Sequence, residues 1–417
     1  MGGGDDGEMR RRALVLVVEV GLFVTLLGIP DGGLGVLWPS LRATFHRPVG
    51  DLGILVLAGT VPYLVASLVS GRAVTRIGFG MLTVAIGVVA VVAFIAWGLA
   101  PAWGAVLGAF ALLGWSRGSA DASVNAHASA TEGVRRLGLL HASYGLGATA
   151  GPLVVSVVLA LGGGWRVAVG VLAAAAAVVT AAAVAARDVP PATADGTFRH
   201  SDETQGPDSP NPDAEREFRH RDQTASADVA RPPGAGRGGV AGILAVFVLY
   251  TAVEASTGAW AFTVLTQSRH LDRGIAGIAT ATYWGALTAG RVGVAAAGHR
   301  VGRGRVIEVG AALALVGVVL FAVGGRVIGP IGLPLAGLGF APLFPVMVSV
   351  IPDRVGVPRS ATVIGWAIGV AAVGGPAGTA LAGAIANTAG VASIGAVLVV
   401  VAVILLMGGV AVFHGTR

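Results

Sequence analysis

Apolar stretches of about 20 residues recur along this chain, each long enough to cross a hydrocarbon core about 30 Å thick as a helix. They fall at 13–38, 49–70, 79–99, 102–124, 138–161 and 165–187, then at 239–265, 274–296, 306–325, 327–350, 361–386 and 389–413. In lipid every backbone N–H and C=O must find a partner inside its own segment or a closed barrel, and runs this long satisfy that as helices. The pattern predicts an all-α membrane protein of twelve transmembrane helices in two groups of six. The segment between the groups, 188–238, is rich in Pro, Asp, Glu, Arg and Ser and cannot bury enough apolar surface to fold. The expected organisation is a six-helix half over 1–187, a disordered linker over 188–238 and a second six-helix half over 239–417. Within the linker FRH occurs twice, at Phe198–His200 and Phe218–His220, which reads as a small duplication.

Composition removes several kinds of chemistry. The chain has no cysteine and all 28 basic residues are arginine. A disulfide framework, a thiolate metal site, a P-loop lysine and a lysine Schiff base are therefore excluded. No enzymatic activity, cofactor or metal site is expected, and ATP-driven pumping by this chain alone is ruled out. The formal charge of +6 is explained by arginines at membrane edges rather than by nucleic acid. Arg10, Arg11, Arg12, Arg72, Arg76, Arg135, Arg136, Arg300, Arg303, Arg305, Arg354, Arg359 and Arg417 fall on one side; Arg42, Arg47, Arg166, Arg269, Arg273 and Arg326 fall on the other. That bias puts both termini and the linker in the cytoplasm of a multi-pass protein of the cell membrane. MGGGDDGEMRRR runs straight into a full-length span, so no cleaved signal peptide is expected.

The two groups of six are copies. His46, Gly50, Gly53 and Ile54 become His270, Gly274, Gly277 and Ile278 on adding 224, as Arg76, Gly78 and Gly80 become Arg300, Gly302 and Gly304. Gly145, Gly151 and Pro152 become Gly369, Gly375 and Pro376. Asp31 and Glu254, with Gly35 and Gly258, are related by 223 instead, which implies a one-residue insertion before His46. Parallel six-helix repeats about an axis along the membrane normal suit alternating access, with a solute site at their interface near the midplane.

Local motifs carry a resemblance. GRAVTRIGFG (Gly71 to Gly80) is similar to the loop signature between spans two and three of the major facilitator superfamily, keeping Gly71, Arg76 and Gly78, with Thr75 where an aspartate is usual. YTAVEASTGAW (Tyr250 to Trp260), GFAPLFP (Gly339 to Pro345) and HASYGLGATAGP (His141 to Pro152) resemble patterns of the fucose/hexose:proton symporter-like branch. The resemblance implies a proton-coupled transporter working by alternating access, with a gating loop at Gly71, Arg76, Gly78 and Arg300. Gly138, Gly147, Gly151 and Pro152 also fit part of an export-linked fifth-span pattern, which keeps a drug or metabolite efflux antiporter open.

Ionisable residues inside a membrane cost about 2.5 to 3.5 kcal/mol each at mid-helix and mark candidate sites. Asp31, Asp121 and Glu254 are the candidate proton carriers. Asp31 and Glu254 lie on the first and seventh spans, which face the central cavity in the superfamily that the chain resembles. The bland readings are an N-cap or turn at GIPDGG for Asp31 and a structural hydrogen bond for Glu254. Arg117, Asp121 and Asn125 recur every four residues and share a helix face, so Arg117 and Asp121 can neutralise each other. The superfamily pattern in that span carries an acid followed four residues on by Asn, which Asp121 and Asn125 match. Glu19 sits near the terminal arginines and can pair with one, while Arg291 and Glu308 read as gate or surface ion-pair residues. Arg117, Asn125, His141, Tyr144, Tyr250, Trp260, Tyr283 and Trp284 are the candidate solute contacts, since rings and amides suit a sugar. The expected partners are a small polar solute, possible sugar included, protons and the lipid bilayer, with the chain acting as a monomer.

Overall fold

The computed structural model describes residues 3–131, 134–187, 237–297 and 302–413. Residues 188–236 of the expected 188–238 linker, with both FRH motifs, and Arg300 lie outside these; Arg237 and Gly238 are helical. Among the described residues there is no strand. Twelve helical spans follow one another: α1 Ala13–Thr44, α2 Asp51–Ile77, α3 Phe79–Gly98, α4 Trp103–Thr131, α5 Val134–Ala160 and α6 Trp165–Ala186, then α7 Gly239–Ser268, α8 Arg273–Ala297, α9 Arg303–Val323, α10 Ile328–Val355, α11 Val357–Ala389 and α12 Ser393–Phe413. Ten are long and apolar enough to cross a membrane, which makes this a multi-pass membrane protein. The two that fall short in apolar content are α4 and α8. They are the helices that carry Arg117, at the centre of α4, and Arg291, in the last third of α8.

The repeat is visible in the backbone. His46 and His270, the 224-residue pair, are the non-glycine residues with positive φ among those described, at 51° and 53°. Each sits just past the end of the first helix of its half, where the chain reverses. The one-residue slip also has a location, and it corrects the expected insertion before His46. A π-turn, which holds one residue more than an ordinary turn, closes α7 at Val264–Ser268, between Glu254 and His270. The extra residue therefore belongs to the second copy. A second π-turn, Phe23–Gly28, lies in α1 ahead of Asp31.

The halves meet along seams that obey the same symmetry. Gly53 of α2 lies against Ala380 of α11, and Gly277 of α8 lies against Ser156 of α5. Adding 224 to Gly53 and to Ser156 gives Gly277 and Ala380, so one contact is the image of the other. On the axis between them, α1 and α7 touch where Gly35 faces Ala259; a Cβ at Gly35 would stand 2.5 Å from the Ala259 carbonyl oxygen. Small residues at such crossings let backbones approach and gain dispersion contacts in place of a hydrophobic drive that lipid does not supply. Polar links reinforce the same end: Arg42 donates to Gln267 Oε1 at 3.1 Å and the Gly50 N–H donates to Asn387 Oδ1 at 2.8 Å. These links lie at the ends of α1, α2, α7 and α11 away from the membrane face where α1 begins and α12 ends. The halves are thus joined on the face remote from the chain ends.

Candidate functional site

Directly beneath that junction, between the halves, lies a cavity of about 430 Å³. Its wall takes residues from α1, α2, α4 and α5 of the first half and from α7, α8 and α11 of the second. Phe23, Leu27, Leu34, Val56 and Phe110 give it an apolar lining, into which Asp31, Asp121, Glu254, Arg117, Arg291, Tyr63, Tyr144 and His141 bring charge and polarity.

The charges form three groups. Arg117 on α4 pairs with Asp31 on α1, and Tyr144 of α5 donates to the other Asp31 oxygen at 3.2 Å. Arg291 on α8 donates to Glu254 Oε1 on α7 at 2.7 Å and reaches the Tyr250 hydroxyl at 3.4 Å. Asp121 has a different environment: it accepts from the Tyr63 hydroxyl of α2, and from Asn125 Nδ2 one turn along its own helix at 2.8 Å. The close crossing of α2 and α4 brings Tyr63 into reach, because Gly118 lies against the Tyr63 carbonyl with no side chain to hold the helices apart. Two carboxylates are ion-paired, and Asp121 is held by neutral donors.

Several expectations are revised by this geometry. Arg117 and Asp121 share a helix face as read, yet Arg117 turns to Asp31 instead of its sequence neighbour. Asp31 is no cap: α1 continues through Pro30 because the π-turn before it absorbs the distortion, and the carboxylate crosses to another helix. Arg291, read as a gate or surface residue, lines the cavity wall and neutralises Glu254. Of the eight candidate solute contacts, Arg117, His141, Tyr144 and Trp284 line the cavity. Tyr250, Trp260 and Tyr283 are fully buried behind it: Trp260 Nε1 donates to the Thr379 carbonyl at 3.2 Å, and the Tyr283 hydroxyl to the Glu254 carbonyl at 2.7 Å. Asn125 stands behind Asp121 and touches the cavity through it. Sequence reasoning misses Tyr63; its place more than three turns from either end of α2 is the signal that could mark it. At the expected gating loop, Gly78 closes α2 with φ of 77°, while Gly71 and Arg76 are exposed.

A separate ionic cluster stands outside the cavity in the first half. Glu19 is fully buried; His127 Nδ1 lies 2.6 Å from one of its oxygens and Arg136 Nε donates to the other at 2.8 Å. Phe79, which opens α3, stacks on His127 at 4.0 Å. The cluster ties α1, α4, α5 and the α2–α3 turn together at the end where the chain begins.

Two wall atoms lack partners. Arg117 Nε and Trp284 Nε1 are buried and unbonded among the described residues, and each such donor costs about 1–3 kcal/mol of desolvation.

Among curated proteins no sequence matches this chain. Solved structures match over nearly its whole length. A variant of the nucleoside transporter NupG aligns with a TM-score of 0.74 at 12% identity, covering 96% of this chain and 100% of that one. The unaltered NupG gives 0.71 at 13%, covering 96% and 99%. The human organic anion transporter MFSD10 (TETRAN) gives 0.61 at 17%, again covering 96% and 99%. Identities this low carry the fold alone. Residues 20–222 match the family model described as Major Facilitator Superfamily, and the two six-helix halves of this membrane protein are built as that superfamily's fold.

Proposed function

We propose that the chain is a secondary transporter of the major facilitator superfamily, moving a small polar solute through the central cavity together with a proton. The observation that carries this reading is the cavity itself, where three carboxylates and two arginines meet between two halves that can rock about it. Charged groups at such depth are expensive, and a solute path is the common reason for keeping them. The junction on the face remote from the termini supports an inward-facing state, taking the termini as cytoplasmic from the arginine bias. Asp121 is the carboxylate proposed to carry the proton, since Asp31 and Glu254 are each ion-paired with an arginine while Asp121 is held by Tyr63 and Asn125. The sugar implied by the branch resemblance is one such solute. The halves are expected to be bounded as 1–187 and 239–417, with Gly71, Arg76, Gly78 and Arg300 at their inner loops.

Purified protein in liposomes tests this. An inward-directed proton gradient should drive solute accumulation, and Asp121→Asn should lower gradient-driven uptake at least about tenfold while sparing solute exchange, which needs no net proton movement. Accumulation driven by an outward-directed gradient would instead assign the chain to efflux antiport. Gradient-driven uptake undiminished in Asp121→Asn, Asp31→Asn and Glu254→Gln alike would rule out proton coupling through this cavity.

A further inference from the structure

The cavity asks for acceptors. Among the described residues, the buried cavity-lining side-chain atoms without a partner are Arg117 Nε and Trp284 Nε1. Both can only donate, since neither a guanidinium nor an indole nitrogen carries an acceptor lone pair. Trp284 is 6% exposed, set edge-on to Tyr283 at 5.3 Å between ring centroids and packed over Gly258, so its ring is fixed in place. Arg117 is fixed by its bond to Asp31. The two donors come from opposite halves, and a ligand that satisfies both bridges the moving parts.

Charge narrows the choice further. With all three carboxylates and both guanidiniums ionised, the cavity carries one net negative charge, and Asp121 is the carboxylate without a cationic partner. A cation would balance that charge and leave both donors bare. A neutral sugar would meet the donors, but the proton that enters with it would change the cavity's charge by one. An anion that arrives with one proton for Asp121 meets the donors and leaves the cavity's charge where it was. A carboxylate has the two acceptor oxygens this requires, and charge-assisted bonds of this kind are the strong ones.

We infer that the solute is an organic monocarboxylate with a compact, partly apolar body, its carboxylate held by Arg117 and Trp284 and its proton by Asp121. This rests on the cavity being the transport site and names the class of solute for it. Asp121 faces Tyr63 on α2, Asp31 on α1 and His141 on α5, with Arg117 and Asn125 on its own helix. The proton and the anion each raise the other's affinity, because binding is reciprocal.

Benzoate is the probe, set against benzamide as its neutral isostere, benzyltrimethylammonium as a cation and glucose as a sugar. Binding to the purified full chain in detergent is read by equilibrium dialysis and by the shift in unfolding temperature. Benzoate should bind at least about tenfold more tightly than the other three, and its affinity should rise by up to about tenfold per unit fall in pH, one proton being taken up with it. Asp121→Asn should flatten that slope. Trp284→Phe keeps a ring but removes the donor, and should weaken benzoate about tenfold. If that variant does not fold, the slope in the unaltered chain decides, and a flat slope overturns the inference. Binding of glucose or the ammonium without benzoate, or equal benzoate affinity in folded Trp284→Phe, also overturns it while leaving transport intact. If none of the four binds, the inference is overturned, and the transport reading is decided separately by the proton-gradient test on the three acid variants.

Discussion

The two halves share a backbone and differ in how they hold charge. His46 and His270 occupy the same left-handed position, Gly53 and Gly277 seat the same kind of crossing, and Asp31 and Glu254 stand at equivalent places on α1 and α7. Their arginines are not equivalent. Asp31 is met by Arg117 from α4, whereas Glu254 is met by Arg291 from α8, the neighbouring helix in sequence. The first half adds Asp121 with Tyr63 and the buried Glu19 cluster, for which the second half has no counterpart among the described residues: adding 223 to Glu19 and 224 to Asp121 gives Gly242 and Pro345. The copies have kept what sets helix geometry and diverged in what sets chemistry, so the fold needs two similar halves while the site needs two different ones.

The largest expected asymmetry lies in the buried ion pairs. Arg136→Leu leaves Glu19, 0% exposed, with its charge uncompensated except by His127, and should cost about 3–5 kcal/mol. Arg291→Leu leaves Glu254 beside the cavity, 12% exposed, where solvent offsets part of the loss, and should cost about 1–2 kcal/mol. Unfolding midpoints of the purified variants measure both, and equal losses would break the contrast. A middle-sized effect distinguishes the paired glycines Gly35 and Gly258. A methyl at Gly35 meets the other half at Ala259, whereas one at Gly258 meets Trp284 of its own half at 2.5 Å. Gly35→Ala should therefore part the seam, raising the labelling rate of a single cysteine introduced at Gln267 by about tenfold, while Gly258→Ala leaves that rate unchanged. The chain has no native cysteine to confuse the reading. The smallest effect sharpens the likeness. His46→Gly and His270→Gly each relieve an unfavourable φ and raise the entropy of the unfolded chain, so each should change stability by less than about 0.5 kcal/mol, and by the same amount.

The fold was legible because membrane helices are written in length and apolarity, and the repeat because glycines at helix crossings must recur where the crossings do. Helix starts are legible to within four residues, whereas α1, α2 and α4 run six or seven residues past their apolar stretches, to Thr44, Ile77 and Thr131. The cavity was legible in part. Carboxylates and arginines inside apolar runs announce themselves, and all three candidate acids line it. Their partners did not follow from the sequence. Spacing along α4 put Arg117 next to Asp121, but pairing across helices depends on which faces turn inward, and that depends on crossings such as Gly118 on Tyr63. Arg291 was misjudged for the same reason: distance from a helix end is not distance from water when a cavity enters the bundle. The aromatic residues were overread, because a ring packed behind a wall and a ring in the wall have the same sequence signal.

The wide turn in α1 bears on more than its own six residues. Successive residues of an α-helix are rotated by about 100°, and a turn holding one extra residue resets that phase for everything beyond it. Glu19, before Phe23–Gly28, looks toward His127 and Arg136; Asp31, after it, looks toward Arg117 and Tyr144. A regular helix through this stretch would aim only one of them correctly. Removing a single residue from the turn would force the first span to choose between its anchor and its site.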